Sequence, residues 1–154
     1  MKAILAPALC LVSIFGSAAF AAPEAAIVTF TNARIIEPVK GANVTAAYAV
    51  IKNETGKPMT LVISQVAPFK AIEMHETYEK DEKMGMRRIE NLTVAAHESF
   101  ELKPGGNHLM LFDPSREVKA GEQIEATFIA SGKTIKTNFK VVKRGEKMND
   151  HDHH

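Results

Sequence analysis

Apolar and polar side chains alternate with a period of two along most of this chain. The clearest alternating segments contain Val28 and Phe30; Met59, Leu61 and Ile63; Phe100 and Leu102; Ile124, Ala126 and Phe128; and Ile135, Phe139 and Val141. Turn-forming sequences such as Pro104-Gly105-Gly106 and Ala120-Gly121 separate these segments. A period of two is typical of half-buried strands, and no segment has a long helical period. The pattern predicts about nine short strands in one all-β domain.

Short strands in one piece of this size are typical of a β-sandwich. We therefore predict a single antiparallel sandwich of the cupredoxin-like or immunoglobulin-like kind. The sandwich is expected to span residues 22–144, between two segments of different composition.

The first of these segments has the features of a secretory signal peptide. Lys2 precedes an uncharged apolar run from Ala3 to Phe15, and Ala19-Phe20-Ala21 is a small-x-small cleavage site. The run is shorter than the roughly 20 residues of a transmembrane helix, and the bulky Leu9 before Cys10 disfavours a lipid anchor. These features predict a signal peptide over residues 1–21, cleavage after Ala21, and a periplasmic product without a membrane span.

Cleavage changes the composition that matters for function. The 133 residues from Ala22 onward have 18 basic and 18 acidic side chains and no cysteine. A balanced charge argues against non-specific binding of nucleic acid. The absence of a thiolate from these residues excludes a blue-copper electron carrier, whose metal is held by one Cys and two His.

Histidine and methionine gather in three short segments of the chain. Met74-His75, Met84 with Met86, and His108-Leu109-Met110 contain four of the seven methionines. On a strand, side chains two residues apart lie on the same face, so His108 and Met110 are predicted to lie side by side. Met74 and His75 are predicted to point to opposite faces by the same rule.

Ligand softness indicates which metal this cluster would bind. Thioether sulfur is neutral and polarizable, which favours Cu(I) over hard cations and over zinc. We therefore predict a Cu(I) site formed by His75, Met86, His108 and Met110, with Met74 and Met84 as possible auxiliary residues.

The spacing of these residues resembles that of a known family. Ten residues separate His75 from Met86, twenty-one separate Met86 from His108, and one separates His108 from Met110. This is similar to the H(M)-x10-M-x21-H-x-M pattern of the periplasmic PCuAC copper chaperones, and Pro104-Gly105-Gly106 continuing to Asp113 is also similar to that family. The resemblance covers roughly residues 27–142.

The resemblance implies a function as well as a fold. It implies Cu(I) binding by the same four residues and delivery of copper for assembly of the CuA centre in subunit II of cytochrome c oxidase. It also implies partnership with Sco-type thiol chaperones.

The final residues, 145–154, are predicted to be a polar tail with its own metal ligands. Met148, His151, His153 and His154 form a possible second site, which with the neighbouring aspartates suits Cu(II) better than Cu(I). Some PCuAC members have comparable extensions associated with Cu(II). A remnant of a purification tag is the alternative.

The sequence bears on three functions other than copper delivery. No nucleophile motif such as G-x-S-x-G is present, so we predict that the protein is not an enzyme. An immunoglobulin-like interaction module remains an alternative, as does a copper-tolerance or storage protein without a role in oxidase assembly.

Overall fold

The computed structural model describes residues 27–146, so the predicted signal peptide and most of the predicted tail lie outside the described residues. The described residues form ten strands: β1 (Val28–Ile36), β2 (Val44–Asn53), β3 (Met59–Val66), β4 (Phe69–Lys80), β5 (Lys83–Ile89), β6 (Leu92–Val94), β7 (Ser99–Leu102), β8 (His108–Pro114), β9 (Gln123–Ala130) and β10 (Lys133–Val142). Residues 27–146 contain no helix that could cross a membrane. The all-β prediction is confirmed.

The strands follow one hydrogen-bonded path, β5-β4-β8-β2-β1-β10-β9-β3-β6, with β7 paired to β2. Strand β1 joins the two halves of this path, because it pairs with β2 along most of its length and with β10 at Arg34–Ile36. The β1–β10 pair is parallel, whereas the other strand pairs are antiparallel. The predicted antiparallel arrangement therefore needs one correction, at β1.

One core unites both halves of the path. The Phe128 ring of β9 lies 4.7 Å from the Phe30 ring of β1 and 6.4 Å from the Phe139 ring of β10, measured between centroids. Leu109 and Leu111 of β8 belong to the same buried cluster and are fully inaccessible. Along β9, and in β8 at Leu109 and Leu111, every second side chain is buried, which is the burial pattern of a sandwich.

Asn53, at the end of β2, is the one fully buried amide side chain in the core of the described residues. Its Nδ2 donates to the carbonyl oxygens of Lys57, Val94 and Ala95 at 2.8, 3.1 and 3.0 Å. Its Oδ1 accepts hydrogen bonds from the backbone N–H and the hydroxyl of Thr55, at 2.9 and 2.8 Å. This single side chain therefore connects the end of β2 to the loop before β3 and to the end of β6.

The hairpin of β4 and β5 lies at one end of the strand path. Its turn falls at Asp81 and Glu82, both with positive φ, within the charged run Glu79-Lys80-Asp81-Glu82-Lys83. Strand β8 pairs with the other side of β4. The three adjacent strands β5, β4 and β8 therefore bring the predicted ligand segments together.

Candidate metal centre

The register of β5, β4 and β8 places the histidines and methionines in rows across the sheet. His75 of β4 is the direct partner of His108 of β8, and Glu73 is the partner of Met110. On the other side of β4, Thr77 is the partner of Met86, and Glu79 is the partner of Met84. Direct partners have their side chains on the same face.

These rows follow one another on the outer face of the sheet. Because residues two apart on a strand share a face, successive rows are about 7 Å apart. Their order along the face is Met110, then the two histidines, then Met86, then Met84 nearest the β4–β5 turn. The predicted side-by-side arrangement of His108 and Met110 is confirmed by this register.

Met74 lies on the opposite face of β4. It is 2% exposed, and its direct partners are Leu109 of β8 and Ile89 of β5, both on the core side. The prediction that Met74 and His75 point to opposite faces is confirmed. Met74 packs in the core and does not share a surface with the histidine pair.

An open groove of about 470 Å³ runs over the outer face. Its lining consists of Ala46, Tyr48, Thr77, Met84, Gly85, Met86, Gly105, His108 and Met110. His75 is not among the lining residues, but its ring centroid lies 5.7 Å from that of His108. Three of the four predicted ligands thus line the groove, and the fourth lies beside it.

The imidazole of His75 is held by an acidic neighbour. Its Nε2 lies 2.8 Å from a carboxylate oxygen of Glu73, and the other oxygen of Glu73 accepts a hydrogen bond of 3.2 Å from Arg88. The hydrogen bond from His75, and to a lesser degree the charge of Arg88, lowers the pKa of Glu73 below its ordinary value. Since a carboxylate only accepts, His75 donates from Nε2 and keeps the lone pair of Nδ1 for a metal.

The imidazole of His108 is held through its other nitrogen. Its Nδ1 lies 2.8 Å from the carbonyl oxygen of Gly106, which also accepts a hydrogen bond of 2.8 Å from the Thr77 hydroxyl. A carbonyl accepts only, so His108 donates from Nδ1 and keeps the lone pair of Nε2. Both rings thus have one nitrogen fixed by the protein and one available for a metal, as is usual for metal-binding histidines.

The two thioethers near the turn are in contact with solvent. Met84 and Met86 are 65% and 62% exposed, more than any other large hydrophobic residue in the described part of the chain. Burying a methionine side chain stabilises a protein by about 1.5–3 kcal/mol. Because they are exposed, Met84 and Met86 contribute little of this burial energy to the fold. Their sulfur atoms are instead two soft donors at the surface.

Besides Glu79 and the Glu73 carboxylate, which already contacts His75 and Arg88, this face offers imidazole and thioether donors to a metal. Within residues 27–146 there is no group of three or more His, Cys, Asp or Glu side chains that could hold an ion. Met86 and Met110 are the thioethers in the rows on either side of His75 and His108, so the candidate ligands are two imidazoles and two thioethers. This is a neutral, soft ligand set.

Comparison with known proteins places the chain in a family. A model of the family described as "Putative lipoprotein LpqE-like" matches residues 28–141. The chain belongs to the LpqE-like family. An uncharacterized protein of Rickettsia prowazekii is 29% identical over 98 residues, which are 62% of this chain and 54% of that protein. The LpqE-like chain spans about half the length of the curated relatives it matches.

Solved structures agree with the fold of this LpqE-like protein. The apo PCuAC domain of PmoF2 has a TM-score of 0.66 at 17% identity, covering 79% of this chain and 94% of that domain. The solution structure of Cu(I)-DR1885 from Deinococcus radiodurans has a TM-score of 0.63 at 26% identity, covering 84% of this chain and 85% of that chain. The predicted resemblance to PCuAC proteins and the cupredoxin-like fold are confirmed.

Sequence reasoning did not identify the residues that hold the histidines. Glu73 is two residues before His75 and so shares its face, but its contact with Arg88 depends on the pairing of β4 with β5. The sequence marks Gly106 only as part of the Pro104-Gly105-Gly106 turn, and no sequence pattern marks Thr77. The contact between Thr77 and Gly106 depends on the pairing of β4 with β8.

Other predicted residues lie away from this centre. His97 is an exposed histidine in a turn and has a φ of 60°. The predicted tail ligands Met148, His151, His153 and His154 lie outside the described residues.

Proposed function

We propose that this protein is a copper chaperone that binds one Cu(I) through His75, Met86, His108 and Met110. The observation that supports this most is the in-register histidine pair, flanked on one face by a thioether on either side. A neutral set of two imidazoles and two thioethers leaves Cu(I) as a monovalent centre and disfavours zinc, which prefers thiolate, imidazole and carboxylate. The similarity to a protein solved with Cu(I) supports the same metal.

An anaerobic titration tests this binding. Competition with a chromophoric Cu(I) chelator is expected to show one tightly held equivalent of Cu(I) per chain. An immunoglobulin-like interaction module, in which the His/Met cluster is accidental, would leave all the copper with the chelator.

The binding site also suits release, so we propose that copper is delivered and not consumed in a reaction. Thioethers are weak donors that thiolates displace stepwise, without any change in the oxidation state of Cu(I). The family resemblance supports the CuA domain of cytochrome c oxidase subunit II as acceptor and Sco-type chaperones as partners. Mixing the Cu(I)-loaded protein with an apo-CuA domain or a Sco-type protein is expected to transfer copper. Retention of copper against both would favour tolerance or storage.

Glu73 is expected to matter for copper affinity although it is not a ligand. It holds His75 through a 2.8 Å hydrogen bond, and loss of such an outer-shell contact typically weakens metal binding about 10–100-fold. We expect a decrease of this size in Glu73→Ala and a smaller one in Glu73→Gln, whose amide oxygen still accepts the hydrogen bond. Chelator competition measures both. Equal affinity in wild type and Glu73→Ala would contradict the positioning role.

Export to the periplasm is part of the proposal. It is supported by the predicted signal peptide over residues 1–21 and by the lipoprotein description of the family. N-terminal sequencing and mass measurement of the exported protein are expected to find Ala22 as the first residue, without a lipid. A chain that keeps Met1 would refute cleavage, and a lipid on Cys10 would assign a membrane-anchored form.

The tail is proposed as a second copper site, for Cu(II). Its three histidines and two aspartates are harder donors than thioethers and suit the oxidised ion. Truncation after Gly145 is expected to remove a second equivalent, seen as Cu(II), while the Cu(I) affinity of the main site stays unchanged. Equal Cu(II) stoichiometry in the full-length and truncated proteins would rule out a tail site.

A further inference from the structure

Met84 extends the series of ligand rows by one step. It lies two residues before Met86 on the same face of β5, lines the same groove, and occupies the row nearest the β4–β5 turn. It is outside the four-ligand spacing and makes a third thioether on this surface. Its 65% exposure leaves its sulfur accessible to an incoming molecule.

The proposed ligands differ in how firmly they are held, and Met110, at the far end from Met84, is half-buried on β8, which pairs with a strand on each side. His75 is fixed by Glu73, and His108 is fixed by the carbonyl of Gly106. Met86 has an exposed side chain on β5, which pairs only with β4 among the described strands. The ligand most easily exchanged is therefore Met86, at the end of the site that continues to Met84.

We propose that Met84 is a transient Cu(I) ligand through which copper leaves the site towards an acceptor. The proposal rests on Cu(I) binding by the four residues named above. In the step, the bond from copper to the Met86 sulfur breaks as a bond to the Met84 sulfur forms. The ion stays Cu(I), and no proton or electron is transferred. A soft donor of the acceptor then replaces the thioethers.

The position of Met84 suits contact with an acceptor. Rows are about 7 Å apart, so a shift of one row moves the ion towards the hairpin end without leaving the line of thioethers. Strand β5 is at the end of the strand path, so a partner can approach it from the side as well as from above. A stepwise route also avoids releasing copper into water, because one sulfur binds before the other leaves.

The test compares equilibrium affinity with transfer rate in Met84→Leu. Leucine keeps the apolar bulk and removes the sulfur. The probe is bathocuproine disulfonate, followed anaerobically by stopped flow. We expect the Cu(I) dissociation constant to stay within about threefold of wild type and the transfer rate to fall about tenfold, a barrier increase of about 1.4 kcal/mol.

A relocated thioether provides the control. Glu79 faces Met84 across the β4–β5 pair, so Met84→Leu with Glu79→Met returns a sulfur to the same row. This double variant is expected to recover the transfer rate, whereas Met84→Leu with Glu79→Leu is not. Recovery by sulfur alone distinguishes ligation from a change in surface charge or shape.

The outcomes separate this inference from the proposed function. A wild-type protein that binds no Cu(I) would overturn the proposed function itself. One tightly bound Cu(I) with equal transfer rates in wild type and Met84→Leu would overturn only the exit role of Met84. A large loss of affinity in Met84→Leu would also overturn it, because Met84 would then be a permanent ligand.

Discussion

His108→Ala combined with Met110→Ala is expected to lower Cu(I) affinity by at least about a thousandfold. The double variant removes one imidazole and one thioether of the proposed set, and losing only an outer-shell contact already costs about 10–100-fold. The fold is expected to survive, because the side chains of β8 that pack in the core are Leu109 and Leu111. Chelator competition measures the affinity, and thermal unfolding checks the fold.

The control variant is His97→Asn, which changes an exposed histidine outside the groove. Asparagine tolerates the positive φ of this position better than most residues. Its affinity for Cu(I) is expected to equal that of the wild type. A double variant that still binds one Cu(I) with wild-type affinity while remaining folded would show that the metal is held elsewhere.

Asn53→Ala is expected to destabilise the domain by about 3–5 kcal/mol. The substitution leaves the carbonyl oxygens of Lys57, Val94 and Ala95 without this donor and removes the acceptor of Thr55. Each buried group left unsatisfied costs about 1–3 kcal/mol, and part of this is recovered by rearrangement or by water. For a domain of this size the change lowers the melting temperature by roughly 10 °C or more.

Asn91→Ala is the matched control for this substitution. Asn53 and Asn91 are both followed two residues later by threonine, but Asn91 is exposed. Surface substitutions of this kind usually change stability by about 0.5 kcal/mol or less. Denaturant unfolding of the two variants measures the difference. Similar stabilities for Asn53→Ala and wild type would mean that the buried amide network contributes nothing.

Local pattern was sufficient to predict the faces of the ligand strands. Alternation alone placed His108 and Met110 on one face of their strand and Met74 and His75 on opposite faces, because the period of a strand is fixed by its geometry. The run Glu79-Lys80-Asp81-Glu82-Lys83 between His75 and Met86 is fully charged, and the structure places a hairpin turn within it.

Long-range pairing could not be predicted in the same way. The parallel contact of β1 with β10 joins residues more than 100 positions apart, and nothing near Arg34 specifies it. The burial of Asn53 was not predictable from the local sequence either, because Asn is mostly exposed and is favoured in turns. The contact of Arg88 with Glu73, which holds that carboxylate beside His75, could not be predicted because it depends on the register of β5 against β4.

The pleat of β8 has a consequence for how such a protein changes over time. The odd-numbered Leu109 and Leu111 pack in the core and maintain the fold, whereas the even-numbered His108 and Met110 face the groove. Selection for stability acts on the first pair, and selection on the proposed copper site would act on the second. A lineage can therefore lose, regain or exchange its metal preference by single substitutions without passing through unfolded intermediates.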